Sequence, residues 1–572
     1  MKIKTIHIHN FRGIIDQTLH LGNYSLLVGA NNTGKTTIID CIRVFYEKDK
    51  YSYTNERDFP KKDYEDNESF IEIEYEVTDE EYESLAEIYK VGFNRLKVKK
   101  SFETSEKLSD GKSAKNIIRG FTREGIYSSE SFYGAKNVQN GKLGEIIYIP
   151  ASNEVNEFIK LSGPSALRDL ITSILTNVIN ESETYNEFKS SIEKFSFQIK
   201  ETESKNNQSL NIFEKELNQN LLPWGTSFHL NIEAPPIPDI IKSMTKYCLR
   251  DTDLECEQDI ENYGSGFQRY FIYSLITSGN KYLSSPVIPQ KKEFSPKLSL
   301  LLFEEPEAFL HPPQQVKLAH DLKMLGERED WQILCSTHSP SFVSKAIEDI
   351  PSIIHLEKKS SKRVCTHQIE SDQLEDLFIS NLRIIEILDK YPDRKKELLE
   401  EDSSPEINLI KYFIILNPDR ASALFSERVL LVEGPSEVNL INKLLDEDKI
   451  ISKNSIYVFD CLGKYNIHRF MNLFGKLGIY HSVLFDGDNE RNEHKEINDL
   501  IENSRNSFTL KTKKFPSNLE DSLGVEKIPE SRKKPQHLMY LYINQKIEQE
   551  KLNNFIEIIQ ELINDENITI PK

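Results

Sequence analysis

Cysteine is scarce in this chain, six in 572 residues, and none of Cys41, Cys248, Cys256, Cys335, Cys365 and Cys461 stands in a C-x-x-C pair or beside histidine at zinc-ligand spacing. A disulfide framework and a zinc knuckle are thereby excluded, a reducing compartment fits, and all six are expected as buried thiols. Long apolar runs are also missing. The densest, Leu298 to Phe303, is far shorter than the roughly 20 residues that cross a bilayer. Met1 to Phe11 alternates polar and apolar residues, unlike a secretory or mitochondrial leader. The expectation is a cytoplasmic chain with no membrane partner. Excess positive charge is lacking too: 72 Lys and Arg against 91 Asp and Glu leave a net charge of -19. That argues against coating nucleic acid by bulk electrostatics, which needs Lys and Arg to neutralise phosphates. It does not exclude a nucleic-acid enzyme, because carboxylate-held metal ions supply local positive charge. No heptad pattern persists long enough for a coiled-coil arm, and no internal repeat is visible.

What is present reads as a globular protein of several domains, with 38% hydrophobic and 28% charged residues and a length that implies two to four domains. Residues 2 to 9 alternate as in a half-buried strand, and Tyr24 to Val28 reads as another strand entering a Gly-rich loop. That loop, Gly29-Ala30-Asn31-Asn32-Thr33-Gly34-Lys35-Thr36, fits G-x-x-x-x-G-K-[ST] and runs into a helical stretch, Thr37 to Phe45. Its glycines let backbone N–H groups close around phosphate oxygens, Lys35 reaches the outer phosphates, and the Thr36 hydroxyl can ligate Mg2+. A later apolar strand ends in Glu304 and Glu305. One acid suits holding Mg2+ through water and the next polarising the attacking water. His338 comes just after the strand Gln332 to Ser336, where an imidazole can meet a terminal phosphate; a structural histidine is the plainer alternative.

Between about 160 and 260 the pattern turns helical, with apolar residues three or four apart (Leu167, Leu170, Ile171, Ile174, Leu175, Val178). A polar segment from about 358 to 405 reads as a separator. From Arg428 onward strands and helices alternate in the manner of a parallel sheet. The strand Val429 to Val432 ends in Glu433-Gly434-Pro435-Ser436-Glu437, with Ser436 expected to cap the next helix. Fifty-three residues after Glu433, the strand Ser482 to Phe485 ends in Asp486-Gly487-Asp488. An extended D-x-D would place both carboxylates on one side. Acids gathered at one sheet edge repel strongly unless divalent cations join them, and such cations can activate water and stabilise a leaving oxygen in phosphodiester hydrolysis.

Taken together, the Gly29 to Thr36 loop, Gly264-Ser265-Gly266-Phe267-Gln268-Arg269, Glu304-Glu305-Pro306-Glu307 with Leu310-His311-Pro312, and Thr337-His338-Ser339 resemble the Walker A, signature, Walker B with D-loop, and switch-histidine elements of ABC-type ATPases. The resemblance implies ATP sandwiched between two heads, held by Asn31, Gly34, Lys35, Thr36, Thr37, Glu304, Ser265, Gly266 and His338, with Glu305 catalytic. The signature departs from LSGGQ in the manner of the DNA-repair and phage-defence branch, which Asn10-Phe11-Arg12 also resembles. Glu433 with Asp486 and Asp488 resembles the Toprim pattern. The order of the two modules, with Tyr148-Ile149-Pro150-Ala151 and Ala421-Ser422-Ala423-Leu424-Phe425, resembles the OLD (overcoming lysogenization defect) family of ATPase-nucleases. By that resemblance Glu433, Glu437, Asp486, Asp488 and Glu520 hold the metals and Lys534 steadies the scissile phosphate. Basic residues flank Glu520 (Lys511, Lys513, Lys514, Arg532, Lys533); a solvated charged surface is the alternative reading for each.

The expected fold class is therefore α/β: an ABC-type ATPase head, residues 1–160 and 261–415, split by a helical insertion for dimerisation, 161–260, then a Toprim α/β domain with a C-terminal helical extension, 416–572. The implied function is an ATP-hydrolysing DNA endonuclease or nickase of prokaryotic anti-phage defence. Its cofactors are ATP and Mg2+ or Mn2+ at both sites, and its assembly is a homodimer or higher even-numbered oligomer. Two other classes stay open. A DNA-clamping ATPase of RecF/SMC type lacks its coiled-coil arm here and leaves the four acids unexplained. A sensor subunit would cut only in complex with a helicase or a reverse transcriptase and its DNA product. A topoisomerase needs a tyrosine nucleophile on a separate domain, for which no region is long enough, and the fused ATPase disfavours a primase.

Overall fold

The computed structural model describes all residues except 48–50, 135–142, 152–182, 203–208, 231–247, 251–254, 284–293, 295, 297, 344–346, 360–362, 393–417, 489–491 and 565–572. The insertion's apolar pattern at Leu167 to Val178 lies outside the described residues. Contacts divide the chain into two units, one of Met1–Ala151 with Lys291–Lys572 and one of Ser152–Gln290.

In the first unit, strand β1 (Lys2–Phe11) pairs antiparallel with β2 (Ile14–His20), a strand hard to see in the sequence because polar residues interrupt its alternation. Strand β3 (Tyr24–Val28) is fully buried and leads through the Gly-rich loop into α1 (Lys35–Tyr46). Then β4 (Ser69–Glu76), β5 (Arg95–Glu103) and β6 (Ile117–Gly120) complete an antiparallel sheet of order β2-β1-β4-β5-β6. Strand β7 (Glu145–Ile149) precedes the second unit. In that unit, by itself, helices α2 (Glu183–Glu201) and α3 (Leu210–Leu221) pack together, the short strands β8 (Leu249–Arg250) and β9 (Glu257–Gln258) pair, and α4 (Ser265–Leu283) comes after them.

The first unit resumes with β10 (Ser299–Glu304), α5 (Pro312–Gly326), β11 (Trp331–Ser336), β12 (Ile353–Lys358) and β13 (Val364–His367). A six-stranded sheet of order β13-β12-β3-β11-β10-β7 results, parallel except for β13. Strands covered on both faces must be apolar throughout, and Leu300, Leu301, Leu302 and Phe303 are completely buried. Burying each is worth about 1.5–3 kcal/mol.

The polar stretch after β12 is not a bare linker over its described residues. It holds β13 and α6 (Ser371–Leu388), whose Ile384 and Leu388 form a small core with Leu500, joining the ATPase sheet to the C-terminal α/β region. A narrow apolar stripe amid polar residues hides this helix in the sequence. A short helical segment, Pro418–Phe425, then enters β14 (Arg428–Val432), α7 (Pro435–Asp446), β15 (Ile456–Asp460), α8 (Ile467–Lys476), β16 (His481–Phe485), α9 (Asn492–Asn503) and β17 (Thr509–Lys514). These strands form a parallel sheet of order β15-β14-β16-β17. Helices α10 (Leu519–Leu523), α11 (Lys534–Ile543) and α12 (Gln549–Ile563) cover it, burying Leu538, Phe555 and Ile559 against Leu430 and Leu440. Among the described residues no helix is long and apolar enough to cross a membrane. Cys41, Cys335 and Cys461 are buried as expected, but Cys248 is exposed and Cys256 and Cys365 half-buried.

Candidate nucleotide and metal sites

The phosphate loop leaves the carboxyl end of β3 with Gly29 at φ 139°, where a Cβ would lie 2.5 Å from the Leu356 carbonyl oxygen, so only glycine fits. Lys35, buried at the start of α1, crosses the loop and donates to the Gly29 and Ala30 carbonyl oxygens at 2.9 and 2.8 Å. Burial pushes its pKa down to about 8, against the pull of Glu305 and Glu307. Asn31 and Thr36 are exposed and Thr37 half-buried, leaving the loop's outer face open. Glu304, at the end of β10, accepts a hydrogen bond from Tyr148 Oη at 3.1 Å and is faced by the Thr36 hydroxyl, and burial raises its pKa. Thr36 and Glu304 are thus brought together as an Mg2+ site requires.

Glu305 takes a left-handed backbone, φ 43°, with its N–H donating to Ser336 O at 2.8 Å. Its carboxylate lies 3.9 Å from His338 Nε2, and burial lowers the His338 pKa. Arg12, also left-handed at φ 52°, donates to Asp40 and Asp58 at 2.8 and 3.0 Å, pinning the β1–β2 turn to α1. Asn10-Phe11-Arg12 therefore has a structural task whatever else it does. Ser265 and Gly266 form the first turn of α4, in the second unit. The role of Tyr148 is one that sequence reasoning misses: its hold on Glu304 depends on strands distant in sequence, which no local pattern reveals.

The second site sits where β14 meets β16. Chain order reverses there, β15 lying on one side of β14 and β16 on the other, and the crevice at the strands' carboxyl ends is the usual ligand position in such sheets. Glu433 comes directly after β14 and its Oε1 accepts from the Asp486 N–H at 2.7 Å. One carboxylate oxygen each of Glu433, Asp486 and Asp488 lies within 4.8 Å of the others. The D-x-D is not extended, contrary to the expectation from its spacing. Strand β16 stops at Phe485, and Asp488 turns into the left-handed region at φ 43° with its N–H donating to Ser517 O at 2.9 Å. The acids converge because the turn is bent, with Gly487 so close to Phe515 that a Cβ would come within 2.4 Å of its carbonyl oxygen.

Ser436 does not cap α7. Pro435 opens that helix, Gly434 is the cap residue, and Ser436 lies already inside the first turn. Glu437, 6% exposed in the same turn, stands outside the three-acid set, and burial with the nearby Asp486 charge pushes its pKa up to about 8. Glu520 Oε1 is 2.9 Å from Lys534 Nζ, in a pocket that Ser436 and His537 also line. Of the flanking cations, Lys513 pairs with Glu561, Lys533 with Glu530, and Lys511 donates to the Glu561 carbonyl oxygen. Sequence spacing does not show that α12 supplies the partner of Lys513 and Lys511.

The donor set fits a divalent cation. Burial first, and then neighbouring carboxylates (Glu437 and Asp488 for Glu433; Glu433, Asp488 and Glu520 for Asp486), raise the pKa values of Glu433 and Asp486, and Asp486 Oδ1 is buried without a hydrogen-bond partner among the described residues. Hard oxygen donors of this kind suit Mg2+ or Mn2+. Folded-state values above the ordinary carboxylate range mean that these acids contribute stability below about pH 4, which is lost as pH rises toward about 8. A cation restores it. The rise in Tm on adding Mn2+ should therefore grow between about pH 5 and 8, with protons released on binding, as calorimetry in buffers of different ionisation enthalpy would register. A Tm gain independent of pH would contradict this account of the acids.

Residues 1–343 match the family described as AAA ATPase domain. The chain belongs to that family. Residues 424–488 match the TOPRIM domain of overcoming lysogenization defect protein-like proteins. The chain is thus an enzyme that joins an ATPase domain to an OLD-like TOPRIM domain. It is 24% identical to the Old nuclease of Escherichia phage P2 over 87% of this chain and 80% of that one. With endonuclease GajA of Bacillus cereus (strain VD045) it shares 25% identity over 85% of this chain and 75% of the relative. Among solved structures, an SmcHead bound to the C-winged helix domain of ScpA superposes with TM-score 0.35 at 15% identity, covering 65% of this chain and all of that one.

Proposed function

We propose that this chain is an ATP-regulated DNA endonuclease or nickase of a prokaryotic anti-phage system, working with Mg2+ or Mn2+ at both the ATPase and the TOPRIM site. The observation that carries the reading is the convergence of Glu433, Asp486 and Asp488 at one sheet edge, in the same compact unit as the phosphate loop. When bound, divalent cations there would supply an activated water and charge for the departing oxygen. Glu433, Asp486 and Asp488 would hold them, with Glu437 and Glu520 completing the set. Lys534 would leave Glu520 for the scissile phosphate. At the other site Lys35 and Thr36 would grip the nucleotide phosphates, Glu304 would position the cation and Glu305 the water. Ser265 and Gly266 of a second copy would close over the nucleotide, so an even-numbered homo-oligomer is part of the proposal. The relatives' names, nuclease and endonuclease, support it.

Supercoiled plasmid incubated with Mg2+ or Mn2+, with and without ATP, tests the reading. Nicked or linear product that requires metal and changes in yield with ATP is expected; cleavage indifferent to chelator would defeat it. A partner-dependent nuclease, acting with a helicase or a reverse transcriptase and its DNA, is the second reading. It draws support from the net charge of -19 and from the pairing of Lys513, Lys533 and Lys534 with acids, which thins the surface open to DNA.

Control by ATP has a short physical route. The His338 ring lies 6.4 Å from Phe425, and the 418–421 turn packs on residues 340–342. From that turn Arg420 donates to the Asp460 carbonyl and carboxylate oxygens at 3.1 and 3.2 Å, at the end of β15 beside the acids. An Arg420→Ala variant should hydrolyse ATP normally and still cut, while the ratio of cleavage with ATP to cleavage without it moves several-fold toward one, in keeping with usual coupling energies of about 1–3 kcal/mol. An unchanged ratio would remove this route.

A further inference from the structure

Lys464 has no part in the proposed chemistry, yet it is 3% exposed and lies at the acids. Long ammonium side chains are almost never buried without a specific partner. Its Nζ donates to the Asp486 carbonyl oxygen at 2.5 Å and stands 3.4 Å from Asp488 Oδ2. The loop that carries it is wound around the neighbouring strand end. Cys461 N–H donates to Val432 O at 3.0 Å, and Gly463 N–H, at φ 104°, to Glu433 O at 2.7 Å. One loop therefore holds the backbone of Glu433 and, through Lys464, reaches across to the turn bearing Asp486 and Asp488.

That turn needs holding. Asp488 sits at φ 43°, a conformation that costs a residue with a Cβ and persists only where its surroundings impose it. Ser517 O fixes its N–H, and Asn498 Nδ2 fixes the Gly487 carbonyl oxygen at 2.7 Å. Both bonds go to the turn's backbone. Lys464 touches both the turn's backbone and the Asp488 side chain.

We propose that Lys464 is a positioning residue of the TOPRIM site, tying the Asp486–Asp488 turn to the Glu433 strand end and aiming the Asp488 carboxylate into the metal-binding set. Its place is distinct from that of Lys534, which is 38% exposed, pairs with Glu520 and faces the pocket. The opposite role, a lysine that stands where a cation would and competes with it, has the reverse consequence, so the two are separable.

The inference rests on the metal-dependent nuclease reading. The experiment is titration calorimetry of Mn2+ into the full chain without nucleotide, comparing wild type with Lys464→Met, which keeps length and loses charge. Plasmid cleavage at saturating Mn2+ and DNA binding in Ca2+ are measured on the same preparations, with ATP hydrolysis and Tm as controls of folding. Positioning predicts Mn2+ affinity weakened about tenfold and saturated cleavage lowered about a hundredfold, with DNA affinity and ATP hydrolysis unchanged, as loss of an oriented ligand does. Equal or tighter Mn2+ binding by the folded variant overturns the inference while leaving the nuclease reading intact. Wild type that binds no Mn2+ overturns both. If Lys464→Met loses ATPase activity and fails to fold, Lys464→Arg, which keeps the buried charge but displaces it, carries the same comparison.

Discussion

Asp486→Ala is expected to abolish plasmid cleavage, lowering the rate by about a hundredfold to a thousandfold, the scale seen when a group stabilising transition-state charge is removed. Asp486 is tied to its neighbours through its backbone. Its N–H is bound by Glu433, its carbonyl by Lys464, and its buried Oδ1 has no partner, so its carboxylate is aimed at a ligand and not at the protein. Removing it also relieves repulsion, so the unliganded variant should melt no lower than wild type and the gain in Tm on adding Mn2+ should shrink. ATP binding and hydrolysis should continue, because the phosphate loop leaves a different sheet. Undiminished cleavage by the pure variant would sink the assignment of this edge as the cutting site; lost ATP hydrolysis would show that the substitution acts through folding.

The parts of this design visible in the sequence are those encoded locally. A glycine loop after an apolar strand, or an acid at a strand's end, is set by a few adjacent residues, so β3, β10, β14 and β16 and the acids they deliver are all legible. The geometry among them is not. Asp488 is expected on an extended strand and instead turns back, because Ser517, Asn498 and Lys464 from three separate elements hold the turn. Tyr148 and Arg420 act on residues 156 and 40 positions away, and the cations around Glu520 are paired by α12 and the 530–533 turn. The helix α6 escapes notice for another reason. Its apolar stripe is narrow, packing on α8 and α9, and the polar remainder imitates a linker.

Glu305→Gln should lower ATP hydrolysis by about a hundredfold or more, the ordinary contribution of a positioned general base, equivalent to about 2.7 kcal/mol in the barrier. ATP affinity should stay within about threefold of wild type, because Lys35, Thr36 and Glu304, not Glu305, make the ground-state contacts expected with phosphate and cation. The backbone supports this division. Glu305 is held in a left-handed conformation by its N–H bond to Ser336, so its side chain leaves β10 in a different direction from Glu304, toward His338 and not toward Thr36. Hydrolysis close to the wild-type rate would refute the role. If it falls as expected, the variant becomes a probe of control, since it dwells in the ATP-bound state. Cleavage in the presence of ATP that matches or exceeds wild type would mean that the bound state is the cutting state. Cleavage that falls in step with hydrolysis would mean that turnover resets the His338–Phe425 contact, and with it the Arg420–Asp460 link to the acids, once per cut.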